Sequence, residues 1–499
     1  MRRWMPLVAV CLGTFMLLVD VTIVNVALPA TAVDLDTSFG ALQWVVDGYA
    51  LALAALLLGA GGIADRVGHR TTYVAGTVVF AVASLGCGLA VDPGMLIASR
   101  VVQGVGGAAM IATTFALLNG SYTGVERARA YAVWGAVSGA SSAVGPLLGG
   151  PLTQALSWRW IFFVNLPVSA VAVVVSVLVL PVARPTGARR IDVAGIVVLT
   201  AAIATLTAGM IRASDDGWAS PTCWGPLALG VLLLAGFAAI ERVVAEPLLD
   251  LALLRHRVFG GVLLAALLLN GAAYVSLTFA SLWMQSVLRL TPVTAGLVAL
   301  PMSVAAFAAS LATPRLLRTL AAGTLIGLGL LLVGAGDLLG AVLMWTLGVW
   351  PALPAGFLLV GVGVGLATAP LGSTGTGAVP ADRAGMAGGA VYTARQVGVA
   401  FGVALLGSVF AAATRSSLVA RGAGSLAHDV VGGRAAEALA AAPAGVRSAL
   451  EGVVEVAVAH GMAALLAVAG LAGLAGAVVA WTVVRDRRAP TPDRAPAMS

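Results

Sequence analysis

The chain has 499 residues, of which 60 % are hydrophobic and 10 % charged, with a formal net charge of +7. Soluble proteins are about 45–50 % apolar and about 25 % charged, so this composition excludes a soluble globular protein. Because a helix needs roughly 20 apolar residues to cross a bilayer, the length excludes a single-pass receptor and allows about a dozen or more spans. The apolar stretches are long and continuous, which excludes a β-barrel and leaves a helical bundle.

Apolar stretches between polar breaks predict fourteen spanning helices in an all-α integral membrane protein. They lie near residues 7–30, 43–63, 72–91, 94–118, 131–154, 161–181, 192–211, 223–243, 258–284, 293–314, 322–345, 351–373, 388–413 and 457–484. The first stretch is too long for a signal-peptide core and contains Asp20 and Asn25, so we expect it to remain as a mature helix.

The arginines predict the orientation, since basic residues near span ends stay on the cytoplasmic side. With the N-terminus inside, most of them fall in cytoplasmic loops or in the tail, and few outside the 414–456 segment fall on the other face. This sorting predicts two cytoplasmic termini and an even number of spans in a plasma membrane, expected to be a bacterial inner membrane. The arginines stand singly at segment ends, which argues against a nucleic-acid surface.

The order of segments predicts six helices, then two, then six. We expect an N-terminal half at 1–181, a linker with two extra spanning helices at 182–257 and a C-terminal half at 258–484. The C-terminal half includes an extracellular loop at 414–456, and a cytoplasmic tail follows at 485–499. Two six-helix halves are typical of transporters whose substrate site lies between the halves near the bilayer midplane.

Two ionisable residues lie within predicted spans and can form a pair. Asp20 is in the middle of the first helix and Arg100 in the fourth. A charge inside the bilayer costs a few kcal/mol, so each needs a structural or functional reason. A buried carboxylate beside a guanidinium can carry a proton, although a static ion pair is the alternative interpretation.

Two further acids are candidates for a substrate cavity. Asp47, near the outer end of the second helix, can attract cationic substrates or can be an interfacial residue beside Trp44 and Tyr49. Asp337 lies in the eleventh helix between glycines that let another backbone approach, and we expect it to face a cavity.

The loop after the second helix contains Gly62, Asp65, Arg66, Gly68 and Arg70. The glycines permit a tight turn, Asp65 can accept from the N-terminal amides of a facing helix, and the arginines can bind carboxylates. This pattern predicts a breakable contact at the inner surface. The alternative is an ordinary positive loop that only fixes topology.

Glycine and proline interrupt the fifth helix at Gly145, Pro146, Gly149 and Gly150. A proline inside a helix favours a kink, and the glycines admit close packing, which suits a moving interface between halves. Near the inner end of the thirteenth helix, Arg395 is followed by Gln396. Arg395 can pair with Asp65, line the inner vestibule or extend to the lipid headgroups.

The sequence predicts a transporter rather than an enzyme. A phosphate-binding loop would need its lysine, and the chain has none, so an ATP-driven pump is disfavoured. The three cysteines have neither disulfide nor metal-ligand spacing. We therefore expect no metal and no cofactor.

Four of these patterns together resemble the major facilitator superfamily, in particular its fourteen-helix drug:proton antiporter branch. The first-helix pattern runs from Asp20 to Pro29. The second is the 62–70 loop, with His69 at a usually basic position, and the third is Arg100 with Gln103 and Gly104. The fourth is the set of fifth-helix residues given above, where Ser141 replaces the usual leading glycine.

This resemblance implies roles for the same residues. Asp20 and Arg100 would couple protons, Asp65 and Arg66 would belong to the inner gate, and the Gly145–Pro146 bend would mark an exporter. The sequence departs from the family pattern at two places: the 313–318 loop of the second half lacks the acidic member, and Tyr392 stands where an Asn is common.

The leading hypothesis is therefore a proton-coupled antiporter, expected to act as a monomer, that expels hydrophobic drugs or antibiotics, cationic ones among them. One alternative is a dedicated exporter of a single metabolite made by the cell. The other is a membrane sensor that binds ligands without transporting them.

Overall fold

The computed structural model describes residues 2–181, 192–244, 247, 250–347, 351, 353–380, 384–443 and 446–484, and in this part of the chain the regular structure is helical. The first group of helices is α1 (Met5–Asp34), α2 (Phe39–Val67), α3 (His69–Gly88), α4 (Pro93–Ser121), α5 (Gly124–Ala155), α6 (Trp160–Phe163) and α7 (Asn165–Val179). The middle group is α8 (Val193–Asp216), α9 (Pro221–Val243) and the short α10 (Leu251–Leu254).

The last group begins with a helix that is broken at Tyr274. It comprises α11 (Arg257–Ala273), α12 (Val275–Ser286), α13 (Pro292–Leu316), α14 (Ala322–Leu347), α15 (Leu353–Gly377), α16 (Ala384–Ala420), α17 (Ala427–Val431), α18 (Ala435–Ala441) and α19 (Arg447–Val483). Each of the fourteen predicted segments corresponds to a helix, or to a pair of helices divided at one residue.

Among the described residues, thirteen helices are long and apolar enough to span a membrane. Helix α5 (Gly124–Ala155), which has 32 residues and carries Glu126 in its first turn, is not one of them.

Two helices extend well beyond the predicted spans. Helix α16 continues to Ala420, and α19 already begins at Arg447. The 414–456 segment is therefore largely helical at both ends, and α17 and α18 lie between. Their apolar side chains Val430, Val431 and Leu439 are buried in the same core as Leu282 of α12, so this segment is packed against the bundle.

Local sequence determines where several helices begin. The Ser38 Oγ accepts from the amide of Ala41 at 3.3 Å, and the Asp92 Oδ1 accepts from the amide of Met95 at 2.9 Å. These side chains satisfy amides that have no partner in the first turn of a helix. Between α2 and α3 the chain turns at Gly68 alone, with φ +101°.

Helices approach closely where glycines face each other. A Cβ at Gly106 of α4 would lie 2.7 Å from the carbonyl oxygen of Gly76 of α3. A Cβ at Gly336 of α14 would lie 2.6 Å from the carbonyl oxygen of Gly356 of α15. Small residues at such contacts are typical of membrane bundles, where van der Waals packing holds helices together. Large apolar side chains such as Leu178 and Leu232 are exposed on the outside, as expected for a surface in contact with lipid.

Candidate functional site

Asp20 lies at the centre of a buried polar network inside the first group of helices. Its carboxylate is 0 % exposed, and its Oδ2 accepts from Nη1 of Arg100 at 2.6 Å. Its Oδ1 accepts from Nε2 of Gln103 at 2.8 Å and from Nδ2 of Asn165 at 3.0 Å. The ion pair expected between Asp20 and Arg100 is present, and the side-chain amides of Gln103 and Asn165 bind the second carboxylate oxygen.

Two of the partners of Asp20, Arg100 and Gln103, also form hydrogen bonds with other neighbours. Arg100 Nε donates to the carbonyl of Val45 at 3.0 Å, and its guanidinium lies 4.3 Å from the ring centroid of Tyr49. Gln103 Oε1 accepts from Arg100 Nη1 at 2.6 Å, and Gln103 Nε2 also donates to Ser84 Oγ at 2.9 Å. Arg100, Gln103 and Asn165 each present a donor to Asp20, and an ionised carboxylate only accepts. The network therefore fits ionised Asp20.

Sequence reasoning missed Asn165. Asn165 lies in an apolar stretch that follows Trp158, Arg159 and Trp160. Arg159 pairs with Asp34 at 2.5 Å, whereas Asn165 begins the next helix, α7, and is buried beside Asp20. The side-chain amide of Asn165 inside an apolar stretch was the sequence feature that could have identified it.

The glycines of α5 lie against α1 close to Asp20. A Cβ at Gly145 would lie 1.9 Å from Thr22 Oγ1, and one at Gly149 would lie 2.9 Å from Ile23 Cγ1. Helix α5 continues through Gly145 and Pro146 to Ala155; the side chain of Pro146 lies outside the described part. Gly150 instead faces α13, since its Cβ would lie 2.8 Å from the Cα of Val293. These glycines thus join the Asp20 helix to the last group of helices.

The predicted inner loop forms the turn between α2 and α3. Gly68 makes the turn, and Arg66 is exposed. Arg70 donates to the backbone carbonyls of Val177 and Leu180, the latter at 3.3 Å, so it binds the C-terminus of α7. The side chain of Asp65 lies outside the described part of the structure. Gly62 is in the last turns of α2.

Asp47 is buried on the face of α2 that packs against α16. Gln43, four residues earlier, donates to the carbonyl of Val403 at 3.0 Å, and the carbonyl of Ala54 accepts from Thr393 at 3.0 Å. Residues 43, 47 and 54 share one face of a helix. Asp47 is 0 % exposed, and neither of its carboxylate oxygens has a hydrogen-bond partner among the described residues.

The other predicted cavity residues lie in the last group of helices. Asp337 is buried in α14 beside Ser276. Arg395 lies over the ring of Tyr392, with its Nε 3.5 Å from Asn270 Oδ1, and the neighbouring Gln396 is buried. A small apolar pocket lies elsewhere, between the first and last groups, and is lined by Leu28, Leu42, Gln43, Val46, Thr278, Phe279, Leu282 and Val403.

Contacts between the first and last groups seal the end of the bundle where α1 meets α2, which we call the α1–α2 end. Thr278 donates to Asn25 Oδ1 at 2.9 Å, and Gln285 donates to the carbonyl of Val26 at 2.9 Å. Farther out, Arg434 pairs with Asp36 at 2.7 Å.

A family model of the Major Facilitator Superfamily matches residues 10–403, and the chain belongs to this family of transporters. It is a multi-pass membrane protein with the all-α fold that the sequence predicted. The puromycin resistance protein pur8 of Streptomyces alboniger is 38 % identical over 432 residues, which cover 84 % of each chain.

Two further relatives carry related names. The tetracenomycin C resistance and export protein of Streptomyces glaucescens is 34 % identical, over 82 % of this chain and 76 % of its own. The multidrug efflux pump LfrA of Mycolicibacterium smegmatis is 31 % identical over 97 % of both chains.

A crystal structure with the same fold is that of a bacterial homologue of the human lysosomal transporter Spinster, in an inward-facing and unoccupied conformation. Its TM-score is 0.68 at 15 % identity, covering 98 % of this chain and 99 % of that one.

Proposed function

We propose that this protein is a proton-coupled antiporter that exports hydrophobic drugs or antibiotics, cationic ones among them, across a bacterial plasma membrane. The observation that carries the proposal is the fully buried Asp20–Arg100 pair in a chain related to resistance and export proteins. A buried charge pair is weak evidence for stability, because hydrophobic replacements are often as stable. A proton-binding role gives a reason for its presence.

The closed α1–α2 end indicates which step of the transport cycle this conformation represents. With both termini cytoplasmic, as the arginines indicate, the α1–α2 end faces outward, so the protein is closed to the outside. The Asp20 network fits the ionised carboxylate. A carboxylate that has released its proton while the outer end is closed is the state in which an antiporter accepts its substrate from the cytoplasm.

Protonation of Asp20 would then drive the opposite movement. A proton on Asp20 removes the charge that holds Arg100, so the network must rearrange on the next opening to the outside. The halves at 1–181 and 258–484 would rock about the contacts of α1 and α5 with α12 and α13. One chain contains both halves, so a monomer suffices.

Asp47 is our candidate for the group that attracts a cationic substrate. It is a buried acid whose oxygens have no hydrogen-bond partner among the residues that the structure describes, at the junction of α2 with α16. The apolar side chains of Leu51 and Ile203 form a cluster with Ala400 one turn farther along. An acid beside an apolar surface suits a lipophilic cation.

The test is export from proteoliposomes with and without a collapsed pH gradient, using puromycin and ethidium as probes. Asp20→Asn alone leaves Arg100 buried without its counter-charge, which costs about 3–5 kcal/mol of stability. The double variant Asp20→Asn, Arg100→Gln removes both charges, and we expect it to fold and insert normally. It should lose export driven by the pH gradient.

A matched control is Asp92→Asn, since asparagine caps a helix as well as aspartate does. Asp92 lies at the start of α4 and bonds to the amide of Met95, away from the Asp20 network. We expect its export to equal that of the unmodified protein. Normal pH-driven export by the double variant would refute the role of Asp20.

Export of one compound is a second candidate, because pur8 and the tetracenomycin C protein are named for single antibiotics. A panel of chemically diverse compounds separates the two candidates. Transport of one structural class alone would favour the dedicated exporter. Transport of unrelated lipophilic cations would favour the multidrug pump.

A further inference from the structure

Asp337 is a second buried acid, in the half of the protein opposite Asp20. It lies near the middle of α14 and is 1 % exposed. Its Oδ1 is 2.9 Å from Ser276 Oγ of α12, and its Oδ2 has no hydrogen-bond partner among the described residues. Whereas Asp20 is paired with a guanidinium, the ion pairs of the described part of the chain do not include Asp337.

The hydroxyl of Ser276 decides which form of Asp337 the geometry fits. Ser276 Oγ is also 3.1 Å from the carbonyl oxygen of Ala272, and a hydroxyl has a single proton to donate. If Asp337 is ionised, Ser276 satisfies either the carboxylate or the carbonyl but not both. If Asp337 is protonated, it donates to Ser276 Oγ, and Ser276 donates to Ala272. The protonated acid therefore satisfies both contacts at once.

The surroundings of Asp337 also favour the neutral form, because few charges face it. Helices α12, α14 and α15 contain no other charged residue in the sequence, and α11 has only Arg257, at its first position. A further titratable side chain, Tyr274, lies between α11 and α12.

Helix α19 approaches α14 at Leu466 and Gly470, which face Gly340 and Gly334. Its nearest titratable residue is His460, about 9 Å farther along at 1.5 Å per residue, and Glu455, Glu451 and Arg447 lie beyond it. An isolated ionised carboxylate in such a place is strongly disfavoured, and it neutralises by binding a proton.

We propose that Asp337 is a second proton-binding carboxyl of the transport cycle, which holds a proton in this conformation and releases it to water when α12 and α14 separate. The inference rests on the proposed antiport. It assigns one exchangeable proton to each half: Asp20 is ionised while Asp337 is protonated. The break at Tyr274 places Ser276 at the start of a separate helix, α12, which also contains Thr278 of the seal to Asn25. Opening of the seal would thus move Ser276.

Infrared spectroscopy of the full-length protein in lipid nanodiscs tests this directly, because a protonated carboxylic acid has a C=O stretching band that a carboxylate lacks. At neutral pH we expect the difference spectrum between the unmodified protein and Asp337→Asn to show one such band. Ser276→Ala should shift that band to higher frequency, since it removes the hydrogen bond. Asp20→Asn, Arg100→Gln is the matched control and should leave the band unchanged.

Exchange of the proton is read from the same band in D2O. If the proton is exchanged during the transport cycle, the band should move to lower frequency after transfer to D2O. The shift should be complete within the time that a few export cycles take in proteoliposomes. No band lost in Asp337→Asn and no shift in Ser276→Ala would show an ionised acid and overturn the proposal. A band that persists in D2O without moving would show a static acid and also overturn it.

The measurement is independent of export. If the band exchanges but export does not follow the pH gradient, then the antiport proposal fails and the proton site remains. If Asp337→Asn does not fold, Ser276→Ala and a pH titration of the band in the unmodified protein give the same answer.

Discussion

Gly145 of α5 is the position where an added methyl group should most directly disturb the Asp20 helix. The Cβ of Gly145→Ala would lie 1.9 Å from Thr22 Oγ1, 2.8 Å from Thr22 Cβ and 3.0 Å from the amide nitrogen of Ile23. Rotation of the Thr22 side chain can relieve the first contact only. The Cβ and backbone contacts require α1 and α5 to move apart.

Overpacking of this kind costs about 1–3 kcal/mol. The control is Gly135→Ala on the same helix, where a Cβ would meet no described atom within 4 Å. There alanine should stabilise the helix by about 0.5–1 kcal/mol. We expect Gly145→Ala to lower the unfolding free energy of the purified protein and to slow export, and Gly135→Ala to do neither.

The double variant Gly145→Ala, Thr22→Ala identifies the cause, because it removes Oγ1 and leaves only the 2.8 Å and 3.0 Å contacts. It should recover part of the lost stability, and the coupling between the two substitutions should be at least about 0.5 kcal/mol. Equal stabilities of Gly145→Ala and Gly135→Ala in chemical denaturation would refute the reasoning, since both would then lie in open space.

Three further substitutions test other parts of the bundle. Gly68→Ala forces alanine to φ +101° and should cost about 1–3 kcal/mol in chemical denaturation. Its control, helical Gly61→Ala, has no atom of the described residues within 4 Å of the new Cβ and should cost nothing. Asp36→Asn removes the ion pair between the exposed Asp36 and Arg434, which is worth about 0–1 kcal/mol, and leaves the Arg434–Asp429 pair in place. A cysteine introduced by Leu28→Cys should then react with an impermeant maleimide up to about fivefold faster. Gly150→Ala would place its Cβ 2.8 Å from a backbone atom of α13 and should increase the same reaction about tenfold or more; no increase would contradict the assigned seal.

The helices could be predicted from the sequence because their signal is strong. A spanning helix needs a long apolar stretch bounded by polar residues, and every predicted segment met that requirement. The ends were less predictable. Helices α16 and α19 extend past the apolar stretches to Ala420 and from Arg447, because they pack against α17 and α18 outside the spans. Such packing is a tertiary property without a local pattern.

The site was predictable only in part, for a similar reason. Asp20 and Arg100 are conspicuous because charges are rare in apolar stretches. Asn165 and Ser84 are less conspicuous, since a neutral polar side chain in a membrane helix can form its hydrogen bond with a backbone carbonyl of the same helix. Asn270 does so, with its Nδ2 2.9 Å from the carbonyl of Ala266. Which polar residues instead meet a charge depends on the packing of helices distant in sequence.

In the proposed antiport, the arrangement of α1 links a proton on Asp20 to the contacts between the two halves. Asp20 binds the polar network, Thr22 contacts Gly145, and Asn25 accepts from Thr278 of the other half. These three positions span less than two turns of one helix, and packed helices move as units rather than deforming continuously. A shift of α1 on protonation must therefore alter the Asn25 contact as well. Gly145→Ala displaces the same helix, so it should change the pH dependence of opening at the α1–α2 end. Gly150→Ala lies against α13 and should increase opening equally at every pH, and an unchanged pH profile in Gly145→Ala would break the link.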